Sequence, residues 1–195
     1  MPENSTPKSR RSTTVDPTSP FVFDIRALQR HPGELREFRR SVLAPTALGG
    51  ELIAVPEGAS LELDARLESV SEGVLVTGTV TATALGECGR CLDGIETQVV
   101  ASIVELFAYP DSETTETTSE DEVYRVDGDY LDVEPVVRDA VVLSLPFTPL
   151  CRPDCAGLCS ECGERLDDLP VDHTHETLDP RWAGLAKFVD EDLKE

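Results

Sequence analysis

The sequence predicts an α+β fold: a central antiparallel sheet or partial barrel, a few helices, and a cysteine-rich C-terminal segment. Three observations predict it. The middle of the chain alternates apolar and polar residues with a period of two, the signature of strands with one wet face. Stripes of apolar residues at helical spacing flank that region. Four of the six cysteines fall in the run CRPDCAGLCSECG, residues 151 to 163, where prolines and glycines leave little apolar material for packing.

The strands rest on explicit alternation. Leu61, Leu63, Ala65 and Leu67 alternate with Glu62, Asp64, Arg66 and Glu68, and Ser71, Glu72 and Gly73 supply a turn. The next run, Val74 to Leu85, alternates Val76, Val80 and Ala82 with Thr77, Thr79, Thr81 and Thr83, β-branched residues that suit a pleated surface. A third strand is expected over Thr97 to Tyr109, which places Cys88-Gly89-Arg90-Cys91 at a hairpin tip. A short strand is expected at Phe21 to Ile25, and Tyr124 to Leu131 has the form of a small hairpin around Asp127, Gly128 and Asp129.

Three helices are expected. Leu35, Phe38 and Val42 recur at helical spacing with Arg36, Arg39 and Arg40 opposite, either an ordinary amphipathic helix or the one basic face in the chain. Asp132 is placed to cap a helix with Pro135 in its first turn and Val136, Val137, Ala140, Val141 and Leu145 on its apolar face, stopped by Pro146. Asp179 and Pro180 open a third, with Trp182, Leu185, Ala186, Val189 and Leu193 on one side for packing or for docking. Residues 1 to 20, rich in Ser, Thr and Pro, read as a disordered tail. The acid-rich stretch Asp111 to Glu122 reads as a mobile loop. Residues 21 to 195 then form a single domain with a knuckle segment at about 146 to 178.

The chain of 195 residues carries a net charge of −21. Such a surface repels nucleic-acid phosphate and favours basic proteins. Residues 1 to 40 are the exception, with Lys8, Arg10, Arg11, Arg26, Arg30, Arg36, Arg39 and Arg40 against five acids. No stretch approaches the ~18 apolar residues of a membrane span, and the N-terminus lacks the apolar core of a secretory signal. A cytoplasmic location without membrane attachment is expected. Thiols stay reduced there, and cysteine pairs bind metal or do redox chemistry more often than they form disulfides.

Four thiolates are the ligand set of a closed tetrahedral zinc site, and a CxxC ending in glycine suits a knuckle whose N–H groups point at sulfur. Cys151, Cys155, Cys159 and Cys162 therefore form the first candidate site, favoured by short ring closures. A two-site arrangement is the alternative: Cys159 and Cys162 with His173 and His175, and Cys88 and Cys91 with Cys151 and Cys155. The histidines can also be an exposed pair with no metal role. The CGRC motif itself reads as half a zinc site, a redox pair, or thiols that shape a turn. In every metal arrangement zinc is structural, and its binding supplies folding free energy.

The order of these motifs resembles a known family. The CxRC hairpin tip, the acidic gap, Tyr130 to Asp132, the Val136 to Leu145 helix, LPFTPLC at 145 to 151, CAGLCSECG and LDPRWAGL together look like the YceD family, the large ribosomal RNA subunit accumulation proteins. The likeness covers about residues 21 to 190 and is most specific over 145 to 166. It implies a role in synthesis, processing or stability of large-subunit (23S) ribosomal RNA. Many relatives carry Cys-x-Cys where this chain has His173 and His175, which supports a ligand role for the histidines.

An acidic protein that affects ribosomal RNA is more easily a holder of a basic ribosomal or assembly protein than a direct RNA reader, although Arg90 and the Arg36 to Arg40 segment are candidates for direct contact. No enzyme is expected. Four cysteines, or two cysteines with two histidines, close the zinc sphere, and the chain has no GxSxG, HExxH or phosphate-cradling glycine loop, so no small-molecule substrate is expected either. A redox-regulated zinc-binding holdase, losing metal when its thiolates oxidise, is the alternative function.

Overall fold

A computed structural model describes residues 15–28, 30–118 and 123–175. The chain divides into two compact units: 1–89 with 93–151, and 90–92 with 152–195. The first is the sheet unit. Its strands are β1 (Val22–Asp24), β2 (Leu35–Leu43), β3 (Leu48–Gly49), β4 (Ile53–Val55), β5 (Ser60–Val70), β6 (Gly73–Glu87), β7 (Gly94–Ala108), β8 (Tyr124–Arg125) and β9 (Tyr130–Asp132). Two helices, α1 (Glu113–Thr117) and α2 (Glu134–Ser144), complete it. The class is α+β, built on antiparallel pairing except for the short parallel pair β7–β8.

The alternation expected over 61 to 68 sets β5, whose residues are by turns exposed and buried along its length. Ser71 and Glu72 close the hairpin to β6, which pairs β5 from Val70↔Gly73 to Leu61↔Ala82. The other edge of β6 is taken throughout by β7, from Gly73↔Ala108 to Glu87↔Gly94. A strand has only two edges, so the β3–β4 hairpin joins β6 beyond the end of β5, through Ile53↔Gly86 and Ala54↔Leu85. Backbones come close along β6. A Cβ on Gly78 would lie 2.3 Å from the Asp64 carbonyl oxygen, so only glycine fits there.

The inner face of the sheet carries Leu61, Leu63, Leu67, Val74, Val76, Val80, Val99, Ile103 and Phe107, all buried. α2 lays Val136, Val137 and Val141 into the same core. Each such side chain contributes roughly 1.5–3 kcal/mol through loss of apolar surface to water. The expected cap is close to what forms: Asp132 Oδ1 accepts from the Glu134 N–H at 2.9 Å, with Val133 as the boundary residue and Pro135 in the first turn. β1 and β9 make a separate two-stranded sheet, Val22↔Asp132 to Asp24↔Tyr130, and so confirm the strand expected at 21 to 25.

One expected helix is a strand. Leu35–Leu43 is β2, antiparallel to β5 from Leu35↔Glu68 to Leu43↔Ser60. Phe38 and Val42 are four residues apart, a spacing that serves a helix face and, being even, a strand face equally. Leu35, at odd spacing, is exposed, whereas Phe38, Arg40 and Val42 share the covered side. The basic face therefore does not exist as a unit. Arg39 pairs with Asp64 on the wet side at 2.9 Å, and the Arg40 guanidinium lies 4.2 Å from the Phe23 ring centroid and donates to the carbonyls of Pro20 and Val22.

The acidic stretch also differs from the expected loop. Residues 113–117 form α1, capped by Ser112, whose hydroxyl accepts from the Thr115 N–H at 3.2 Å. Of the expected tail, residues 15 to 20 include an Asp16 turn that takes the Thr18 N–H at 2.9 Å, while 1–14 lie outside the described residues. The helix expected from Asp179 to Leu193 lies outside them as well. Among the described residues no helix is long and apolar enough to cross a membrane.

Candidate metal centre

The second unit is held by turns and polar contacts. Leu158 and Arg165 form an isolated bridge, and Leu166–Asp168 is a single 3-10 turn. Arg152 makes an ion pair with Asp167, and the Leu166 N–H donates to the Gly157 carbonyl at 2.9 Å. Among its described residues large apolar side chains are scarce: Leu166 and Val171 are themselves exposed. A segment of this kind has little hydrophobic stabilisation of its own, which is why a ligand-closed centre suits it.

Cys159 and Cys162 sit on a knuckle. The Cys159 N–H donates to the Glu164 carbonyl at 2.7 Å and the Gly163 N–H to the Cys159 carbonyl at 2.9 Å. Gly163 takes φ +74°, a left-handed conformation in which a side chain would be strained, so the glycine expected after CxxC is required by the turn. The Cys159 thiol is held down to about 6, first by the Cys162 N–H, then by the Glu161 N–H, then by His173. Those donors all favour the thiolate, the form a metal needs.

His173 and His175 come to the same place. Cys162 Sγ lies 3.6 Å from His173 Nε2, and the two imidazoles meet edge to face at 4.4 Å between centroids. The ligand atoms of Cys159, Cys162, His173 and His175 all lie within 4.8 Å of one another. Donors placed tetrahedrally at 2.0–2.3 Å from zinc stand roughly 3.3–3.8 Å apart, so a small contraction would close them on one ion. This group can hold a metal.

The remaining cysteines fall into pairs within each unit. In the sheet unit, Cys88 and Cys151 have their sulfurs within 4.8 Å. Cys88 ends the β6–β7 hairpin, its N–H donating to the Asp93 carbonyl at 2.8 Å, and the Gly89 N–H donates to the Pro149 carbonyl at 2.8 Å, tying the tip to the chain entering Cys151. In the second unit, Cys91 and Cys155 are likewise within 4.8 Å. Arg90 Nη1 donates to the Cys155 carbonyl at 2.8 Å, and Gly157 at φ +86° lets the chain pass close to the Arg90 backbone. Arg90, a candidate for RNA contact in the sequence, thus has a structural bond. Of the four clustered cysteines expected to share one metal, Cys159 and Cys162 are brought together with the histidines, and Cys151 and Cys155 with Cys88 and Cys91 respectively.

Sequence reasoning missed Phe147. It stands 97% exposed between Pro146 and Thr148, and the signal available was the pair of prolines, Pro146 and Pro149, that flank it.

The sequence profile of the family described as large ribosomal RNA subunit accumulation protein YceD matches residues 76–189, which takes in all six cysteines, His173 and His175. The chain belongs to the YceD family. Among its relatives, the Mycobacterium tuberculosis (strain H37Rv) protein named Uncharacterized protein Rv2926c is 54% identical over 171 residues, 88% of this chain and 82% of the relative. Uncharacterized protein ML1660 of Mycobacterium leprae is 46% identical over 175 residues, 90% and 80% of the two chains. Uncharacterized protein YlbN of Bacillus subtilis is 25% identical over 128 residues, 65% and 73%. No solved structure matches the chain.

Proposed function

We propose that this protein is a non-enzymatic ribosome biogenesis factor that supports accumulation of large-subunit (23S) ribosomal RNA in the cytoplasm by holding a basic ribosomal or assembly protein. Family membership over residues 76–189 carries the ribosomal reading. The choice of a protein partner follows from charge: a chain at −21 has unfavourable long-range electrostatics toward phosphate and favourable electrostatics toward Lys- and Arg-rich surfaces. The dispersal of Arg39 and Arg40 to opposite sides of β2 removes the one basic helix face that argued for direct RNA reading.

Zinc completes the proposal. Cys159, Cys162, His173 and His175 would hold one ion. The sequence offers Cys88, Cys91, Cys151 and Cys155 as the ligands of a second. Both sets are closed spheres without an open position for water, so the metal would shape the fold and perform no chemistry. A salt titration of binding to purified large-subunit ribosomal proteins and to large-subunit ribosomal RNA tests the partner choice. Tight protein binding with weak RNA binding at ~150 mM salt is expected. RNA binding alone, with a steep salt slope, would replace this reading by a direct RNA contact.

A further inference from the structure

A groove in the sheet unit is lined by Leu52, Ile53, Val142, Leu145, Pro146 and Phe147. It is open and apolar: Phe147 is 97% exposed, Leu143 beside it on α2 85%, and Leu52 and Val142 46% and 41%. Gly49 makes the floor, since a Cβ there would fall 2.7 Å from Leu145 Cδ1. Pro146 follows the last turn of α2, and the Pro149 carbonyl is anchored by the Gly89 N–H at 2.8 Å. A bulky ring standing in water beside an apolar trough has the form of a recognition anchor.

The surroundings specify the occupant. Glu51 lines the groove, Glu87 stands beside it with its N–H on the Leu52 carbonyl at 2.9 Å, and Asp139 precedes Val142 by one helical turn. No Lys or Arg is among the lining residues. A second copy of the chain would bring −21 against −21, and a phosphate backbone would meet the same acids. We infer that this groove seats an amphipathic segment of a basic protein, a large apolar side chain entering between Phe147 and Leu52 with Lys or Arg on its flanks toward Glu51 and Glu87. The inference rests on the basic-partner reading above and gives that partner its docking surface.

The probe is the set of proteins salt-stripped from purified large ribosomal subunits, passed over the full, metal-loaded chain, with the retained protein identified and its affinity measured. Phe147→Ala and Leu52→Asp should each weaken that affinity about tenfold or more. Val104→Ala, on the open face of β7, should leave it unchanged. A photo-crosslinking residue at position 147 should mark a Lys- and Arg-rich segment of the retained protein. Retention with unchanged affinity in both groove variants would overturn the groove and leave the basic partner standing. Retention of nothing by the wild type would overturn both readings, and crosslinks only to RNA or to a second copy would overturn the occupant proposed here.

Discussion

Arg40→Ala, compared with Arg39→Ala, separates a helix from a strand at 35–43 and reports how the two sheets of the first unit are joined. On a helix the neighbours would share one wet face, and their removal would be equally mild. In β2 they point opposite ways. Arg39 is 84% exposed in a surface pair with Asp64, an interaction worth ~0–1 kcal/mol. Arg40 donates to the Val22 and Pro20 carbonyls at 2.9 and 3.0 Å and lies over the Phe23 ring at 4.2 Å. Hydrogen bonds from a charged donor contribute about 1.5–3 kcal/mol each when buried, less here because Arg40 is only half-covered, and the ring contact adds about 0.5–1 kcal/mol. About 2–3 kcal/mol in all is expected for Arg40→Ala, against less than about 0.5 for Arg39→Ala. At roughly 2–4 °C per kcal/mol for a chain of this size, calorimetry should show Tm lower by about 4–12 °C for the first variant. Equal small shifts in the two variants would refute the strand assignment and the clamp together.

Gly78→Ala should destabilise the sheet unit by roughly 1–3 kcal/mol in urea unfolding, because its Cβ would meet the Asp64 carbonyl at 2.3 Å, whereas Gly94→Ala, with open space around it, should not. Burial alone pushes the Glu105 carboxyl up, so the folded state holds that proton more tightly than the unfolded chain does. The associated stability is present at low pH and lost as pH rises above the ordinary Glu value, and Glu105→Gln should therefore gain over wild type between pH 4 and pH 7 in the same assay.

The sheet was legible because β5, β6 and β7 each bury one face, and a period of two survives in Leu61 to Leu67 and in the threonine-rich run after it. α2 was legible for a similar reason, with a proline in its first turn and another at its stop. β2 was not, since an even spacing of apolar residues fits both periods and its partner, β5, lies about twenty residues downstream. α1 depends on a Ser112 cap in a segment without apolar residues, where composition speaks for a loop. At the metal centre the ligand types were plain, and the group Cys159, Cys162, His173 and His175 was the second of two groupings that the spacing left open. Short ring closure favours Cys151, Cys155, Cys159 and Cys162 on one ion, yet the left-handed Gly157 and Gly163 turn the chain between the pairs and bring His173 back to Cys162. Phe147 escaped notice because an exposed aromatic leaves no periodicity.

The grouping of the ligands is decided most directly by counting metal. Native mass spectrometry of the reduced, purified protein and of a His173→Ala, His175→Ala variant should find two zinc ions in the wild type and one in the variant. A single ion retained in both would return the site to the four cysteines of residues 151 to 162. No zinc in either would contradict the account and leave the thiols to redox chemistry.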